Sequence, residues 1–229
     1  MTDNFSASLG FVLQHECVYA PGHDGDLGYV ISENVPGDSG GCTKFGIDAA
    51  DHPGLDIPNL TLEEATAIYR DGEWTECRCD ELPLGIDTAV FDCAVNNGVY
   101  ISGVLLQRAI GACGYSITVD GEIGPVTAGL AATAWAGARW GLIEHMLELR
   151  RQHYGDIVML HPCDAQFLNG WLNRVNDLEA FVGEGGNLEP SAVLSDANLE
   201  IDSALPPRPS GCLAAVVSLR SAGEPGGVA

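Results

Sequence analysis

Helical periodicity constrains this chain more than any other feature. Phe5, Leu9, Val12 and Leu13 recur at helical spacing, so a helix runs from about residue 5 to Glu16. Thr61-Leu62-Glu63-Glu64 is a capping box: the Thr61 hydroxyl caps free amides while Glu64 reaches back, and Ala65, Ile68 and Tyr69 continue the face. Ile86 to Val95 is a strongly apolar helix, with Cys93 as a small core residue, stopped at Asn96-Asn97-Gly98, where the glycine can take a left-handed conformation. Ile101 to Ile110 turns Leu105, Leu106 and Ala109 inward. Pro125 opens a helix expected to reach about Ala134, and Arg139 to His153 carries Leu142, Ile143, Met146 and Leu149 at spacings of three and four. Ala165 to Val182 places Phe167, Trp171, Val175 and Leu178 on one stripe, which reads as core. Only the stretch from Tyr19 to Ile47 invites strands, with Tyr29-Val30-Ile31 as a β-prone run; a loop or small hairpin over a helical body is expected there.

Glu16 ends the first of these helices, on the same face as Leu9. A carboxyl on the dry side of a helix is disfavoured as an anion, so its pKa rises, which is how a general acid stays protonated near neutral pH. The competing reading of this run is a frayed helix end with a solvated glutamate. Downstream lies a glycine-rich string, Asp38-Ser39-Gly40-Gly41-Cys42-Thr43-Lys44-Phe45-Gly46-Ile47.

Charge and cysteine content exclude several classes. Asp and Glu number 32 against 10 Lys and Arg, a formal net charge of −22, and Lys44 is the only lysine. No basic patch is present to displace phosphate counterions, so nucleic acid is not an expected partner. No apolar run approaches the roughly 20 residues of a membrane span. The start, Met1-Thr2-Asp3-Asn4, has neither a basic nor a long apolar stretch, so no Sec signal is expected. The eight cysteines lack paired zinc spacing, and His15, His23 and His52 lack ligand spacing; no metal and no cofactor are expected. Cys17 and Cys42 could pair in an oxidising compartment, a question that spacing leaves open. From Gly183 the chain turns rich in glycine and proline, and residues 183–229 are expected to be a mostly disordered acidic tail.

The order of motifs resembles the phage-type N-acetylmuramidases of glycoside hydrolase family 108, the endolysin and secretion-activator group. The strings that carry the likeness are Glu16-Cys17-Val18-Tyr19, Asp38 through Ile47, and Ile68-Tyr69-Arg70 through Trp74. They continue with Glu81-Leu82-Pro83, Phe91-Asp92-Cys93-Ala94-Val95-Asn96-Asn97-Gly98, Asp120 through Thr127, and Gly170-Trp171-Leu172-Asn173-Arg174-Val175. The family's two glycines after the glutamate are Cys17 and Val18 here, and about a dozen extra residues separate Tyr19 from the Asp38 string.

The resemblance implies a mainly α, lysozyme-like helical domain over residues 1–182 with a small β element beside the cleft. Residues 115–182, similar to the family's peptidoglycan-binding region, are expected to belong to the same body, because Gly121 reads as a tight turn and Pro125 as a helix start. The implied reaction is hydrolysis of the β-1,4 bond from N-acetylmuramic acid to N-acetylglucosamine in peptidoglycan. Glu16 would be the general acid, Asp38 the second carboxylate and Thr43 the hydroxyl holding water, with Asp24 and Asp26 competing for the Asp38 role. Tyr19, Phe45 and Trp74 could stack on sugar, with core packing as the alternative; Gly40 and Gly41 would allow close approach, and Asn96 and Asn97 could reach N-acetyl groups. Asp92 receives no role. The expected partner is the glycan strand, met by a monomer made in the host cytoplasm and released to the periplasm and wall, with a holin as the candidate for that release. The rival expectation is an inactive wall-binding or virion-associated module.

Overall fold

The computed structural model describes residues 4–16 and 42–183, and of residues 138–140 the backbone alone. The expected strand at 29–31, and the string up to Gly41, lie outside the described residues. Helix α1 (Phe5–Glu16) is buried on nearly every side, with Leu9, Phe11, Val12 and Leu13 all at most 5% exposed. It enters the core beside an aromatic cluster in which Phe5 meets Trp74 and Phe91 at centroid distances of 5.1 and 5.9 Å.

The expected β element is a minimal hairpin. Strands β1 (Thr43–Lys44) and β2 (Ile47–Asp48) pair antiparallel, with Thr43 opposite Asp48. Phe45 and Gly46 form the turn with φ of 54° and 78°. Two positive φ values in succession match the right-handed twist of the flanking strands.

Helix α2 (Leu62–Tyr69) starts on the capping box read from the sequence: Thr61 accepts from the Glu64 amide and Glu64 accepts from the Thr61 amide. Its end widens into a π turn, Arg70–Trp74, broken at Gly72 (φ −85°, ψ −115°). Helix α3 (Ile86–Asn97) is the hub, packing against α1 and against α4 (Val99–Ala112), α5 (Pro125–Leu160) and α6 (Leu168–Gly183). Gly98 joins α3 to α4 with φ 88° and ψ 153°, an extended positive-φ conformation rather than the left-handed helical stop expected there.

Two boundaries differ from the sequence reading. Pro125 to Ala134 and Arg139 to His153 are one helix, α5, of 36 residues, about 54 Å long at 1.5 Å per residue. No proline follows Pro125 in this span, and the alanine-rich stretch between the two apolar faces favours continuation. The last helix begins at Leu168, because the stretch from Pro162 to Phe167 is a 3-10 turn. Among the described residues no helix is long and apolar enough to cross a membrane.

The Asp120 to Thr127 string is packed as a structural loop. Gln107 of α4, 1% exposed, accepts from the Asp120 and Gly121 amides (3.0 and 2.9 Å) and donates to the Asp120 carboxylate at 2.7 Å. Gly103 lies directly beneath this loop: a Cβ there would overlap the Gly121 carbonyl. Gly103→Ala therefore lifts the loop from α4 and costs about 1–3 kcal/mol. A urea melt of the folded variant checks this, and a midpoint unchanged from the parent would contradict it.

Candidate active site

Glu16 is the last residue of α1 and its side chain is 1% exposed, so the frayed, solvated alternative does not hold. Its surroundings differ from a purely apolar pocket. Arg174 of α6 donates through Nη1 to Glu16 Oε1 at 2.7 Å. The same guanidinium donates through Nε and Nη2 to Asp92 Oδ1, at 2.9 and 2.6 Å. Arg150 of α5 takes the other oxygen, donating through Nη1 to Asp92 Oδ2 at 2.6 Å.

The chain of contacts continues past Arg150, whose Nε donates to the Tyr154 hydroxyl at 2.8 Å; that hydroxyl in turn donates to Asn96 Oδ1 at 2.6 Å. Asn97 donates to the Tyr154 oxygen at 3.2 Å, and Trp171 stacks on the Tyr154 ring at 5.2 Å. Helical spacing makes this possible: Asp92 and Asn96 are one turn apart on α3, as are Arg150 and Tyr154 on α5. Two acidic side chains thus meet two guanidiniums in a dry interior. Burial alone would raise the Asp92 pKa, but the charges of Arg174 and Arg150 and their hydrogen bonds outweigh it and hold Asp92 far below the usual carboxylate range. Both guanidiniums are held cationic by the same pairing, against their own desolvation.

Beside Glu16 the hairpin closes in. Gly46 lies against it so tightly that a Cβ at this position would stand 2.8 Å from Glu16 Cβ and 2.8 Å from the Tyr69 hydroxyl oxygen. Tyr69 donates to the Phe45 carbonyl at 2.9 Å, tying the hairpin to α2. Gly46 and Tyr69 form part of the wall of a cleft of about 460 Å³, and Glu16 lies directly behind that wall. Asp48, Asp51 and His52 line the cleft from the hairpin side, and Glu73 and Glu76 from the π turn. Among the described lining residues there is no lysine or arginine.

Glu73 is the cleft carboxyl with the most perturbed surroundings. Burial raises its pKa; the charges of Glu76 and Glu16 add to the rise, while a hydrogen bond from its own amide and the neighbouring His52 oppose it. The π turn that presents it is held rigidly. Trp74, 1% exposed, donates to Asp80 at 2.9 Å, and Arg70 stacks on the Phe5 ring at 4.8 Å.

The expected site residues fare unequally. Thr43 is half-buried on β1, two residues before the Phe45 carbonyl that anchors Tyr69, in the hairpin whose turn residue Gly46 lies against Glu16. The Phe45 ring is 5% exposed and packs in the core, as the packing alternative had it, so its face is not open for sugar stacking. Asn96 and Asn97 are buried at 8% each and turn their side chains to Tyr154, which replaces the expected reach toward N-acetyl groups. Asp38, Gly40, Gly41 and Tyr19, the competing Asp24 and Asp26, and the Cys17 half of the possible disulfide all lie outside the described residues. Among the described residues no group of three or more His, Cys, Asp or Glu side chains could hold a metal ion. Asp92, Arg150, Tyr154, Arg174 and Glu73 acquire positions that sequence reasoning did not assign. The available signal was polar residues at i, i+4 on otherwise apolar helices.

A helical, lysozyme-like body with a buried acid beside a carboxylate-lined cleft is compatible with glycoside hydrolysis. Comparison with known families agrees: residues 11–98 match the family Glycosyl hydrolase 108, and residues 102–176 match the family Predicted Peptidoglycan domain. The first match marks the chain as a glycoside hydrolase, and the second as one that acts on peptidoglycan. The solved structure of Brucella abortus SagA is similar in fold, covering 88% of this chain and 98% of that one at 24% identity and a TM-score of 0.57. No curated protein matches the chain.

The charge pattern makes two pH-linked outcomes testable. An acid whose pKa is raised on folding binds its proton more tightly folded than unfolded, so its stabilising effect is lost as pH rises through the folded value. Glu73→Gln therefore melts at a higher temperature than the parent at pH 8, and the gain disappears near pH 4; equal melting temperatures at pH 8 would contradict the burial of this carboxyl. Asp92 has the opposite sign, its contribution present above the unfolded value and lost only in strong acid. Asp92→Ala leaves buried Arg150 without its carboxylate and Arg174 with Glu16 alone, and costs about 3–5 kcal/mol at neutral pH, as read by denaturant unfolding.

Proposed function

We propose that this chain is an endolysin-type N-acetylmuramidase that cleaves the β-1,4 bond from N-acetylmuramic acid to N-acetylglucosamine, with Glu16 as general acid. The observation that carries the reading is the position of Glu16: a carboxyl at a helix end, withdrawn from bulk water, behind a cleft wall and fixed by a guanidinium. In glycoside cleavage the acid gives its proton to the leaving oxygen as the C1–O bond breaks, and a second carboxylate meets the positive charge that develops on the sugar ring. Asp38 is the leading choice for that second group, in a glycine-rich turn where it can stay ionised, with Thr43 holding the water; Asp24 and Asp26 are its competitors. Water then completes C1, so one bond is hydrolysed and the acid regains its proton from solvent.

The substrate reading extends to the rest of the molecule. Residues 1–182 form one functional body, with 115–182 part of it and 183–229 an acidic tail. At a net charge of −22, long-range attraction to an anionic wall is absent, so binding depends on close contacts in the cleft. A glycan strand fits that demand. Release of the enzyme to the wall would rely on a membrane-permeabilising partner such as a holin, and the working unit is a monomer.

The test is product analysis. Purified protein should release new reducing ends from peptidoglycan, with N-acetylmuramic acid at the reducing terminus, and Glu16→Gln should lower the rate by at least about 100-fold while the fold is retained. New free amino groups without reducing ends would overturn the muramidase reading, and binding without any product would favour the inactive wall-binding module. Asp38→Asn should remove most of the rate; loss with Asp26→Asn instead would transfer the second role.

A further inference from the structure

We infer that Arg174 is the positioning residue of Glu16, and that the region matching the peptidoglycan domain completes the catalytic site of the region before it instead of serving as a detachable wall-binding module. The inference rests on the reading of Glu16 as the acid. Arg174, Arg150 and Tyr154 all belong to residues 102–176, whereas Glu16, Asp92 and Asn96 belong to residues 11–98. Apart from the Arg150–Tyr154 bond and those among Asn96, Asn97 and Cys93, the polar contacts of the buried network cross between the two regions.

The geometry favours positioning over simple adhesion. A buried ion network is a weak way to join helices, because apolar residues of similar volume do as well or better. What it supplies is direction. The planar fork of Arg174 is fixed by two bonds to one oxygen of Asp92, so the Nη1–H bond reaches Glu16 Oε1 along a single line. Asp92 cannot swing away, since Arg150 holds its second oxygen, and Arg150 is itself oriented by Tyr154. With Oε1 pinned, the direction of Oε2 follows. Gly46 packs closely on the Cβ and Cγ of the Glu16 stem, which limits the room in which the side chain could turn. A lysine at 174 would keep the charge and lose the fork.

The experiment uses the full chain and soluble glycan fragments as well as intact peptidoglycan. Arg174→Ala, checked for fold by circular dichroism, should lose about 100-fold in kcat with KM little changed. Millimolar methylguanidinium should restore part of that loss, and equal concentrations of sodium chloride or methylammonium should not. Should Arg174→Ala fail to fold, Arg174→Lys preserves the buried charge and should still lose about tenfold or more in kcat. A folded variant with parental kcat, a loss confined to KM or to sedimentation with peptidoglycan, or a folded alanine variant without methylguanidinium rescue would overturn the inference. Glu16→Gln separates the two readings: if it stays active, the acid assignment itself fails, whereas an inactive Glu16→Gln beside a fully active Arg174→Lys refutes only the positioning role.

Discussion

Arg174 stands between two carboxylates, and most of this molecule is arranged around that fact. Its guanidinium is buried and holds three hydrogen bonds to acidic oxygens, one on Glu16 and two on Asp92. Removing such a group from water is unfavourable by several kcal/mol per ion unless every donor finds a partner. The fold offsets this by bringing α1, α3, α5 and α6 to one point, where each nitrogen of the Arg174 guanidinium donates to an acidic oxygen, and a second guanidinium, Arg150, completes the neutralisation of Asp92. The helical frame and the charged site are therefore one construction. A change at either end of the network is felt by four helices.

The cleft is built from the other side of the same acid. The hairpin turn needs two positive φ values, and Gly46 at the second of them lets the strand pair lie against Glu16 and Tyr69 without a side chain between. Across the cleft, α2 ends in a π turn, a distortion often found at functional sites, whose break at Gly72 precedes Glu73. Carboxyls thus lie in two different surroundings: Glu16 beside a buried cation, and Glu73 half-buried in the acidic cleft among Glu76, Asp48 and Asp51. Unlike environments for neighbouring acids are what division of labour in acid–base chemistry requires.

Much of the frame was legible because its causes are local. The spacing of Phe5, Leu9, Val12 and Leu13 fixed α1, the Thr61–Glu64 reciprocity fixed the start of α2, and a glycine after Asn97 marked the end of α3. The continuity of α5 was not legible from its two apolar faces, because the residues between them carry no clear face and include Gly137, a weak helix former that the helix nonetheless runs through. Glu16 shows the limit most clearly. A helical wheel places it on an apolar face, but the cation that meets it comes from 158 residues further along the chain. Asp92 was silent for the same reason: its meaning lies in Arg150 and Arg174, on other helices. Asn96 and Asn97 read as helix-end amides open to ligand, and only the placement of Tyr154 on α5 shows where their side chains go.

The central claim is that the acid fixed by Arg174 is the one that protonates the leaving oxygen. A crystal structure of the Glu16→Gln protein with a bound glycan fragment tests it most directly. The account predicts the glycosidic oxygen within hydrogen-bond reach, about 3 Å, of the residue 16 side chain, with Arg174 still bridging that side chain and Asp92. A scissile bond seated elsewhere in the cleft, beyond contact with residue 16, would contradict it.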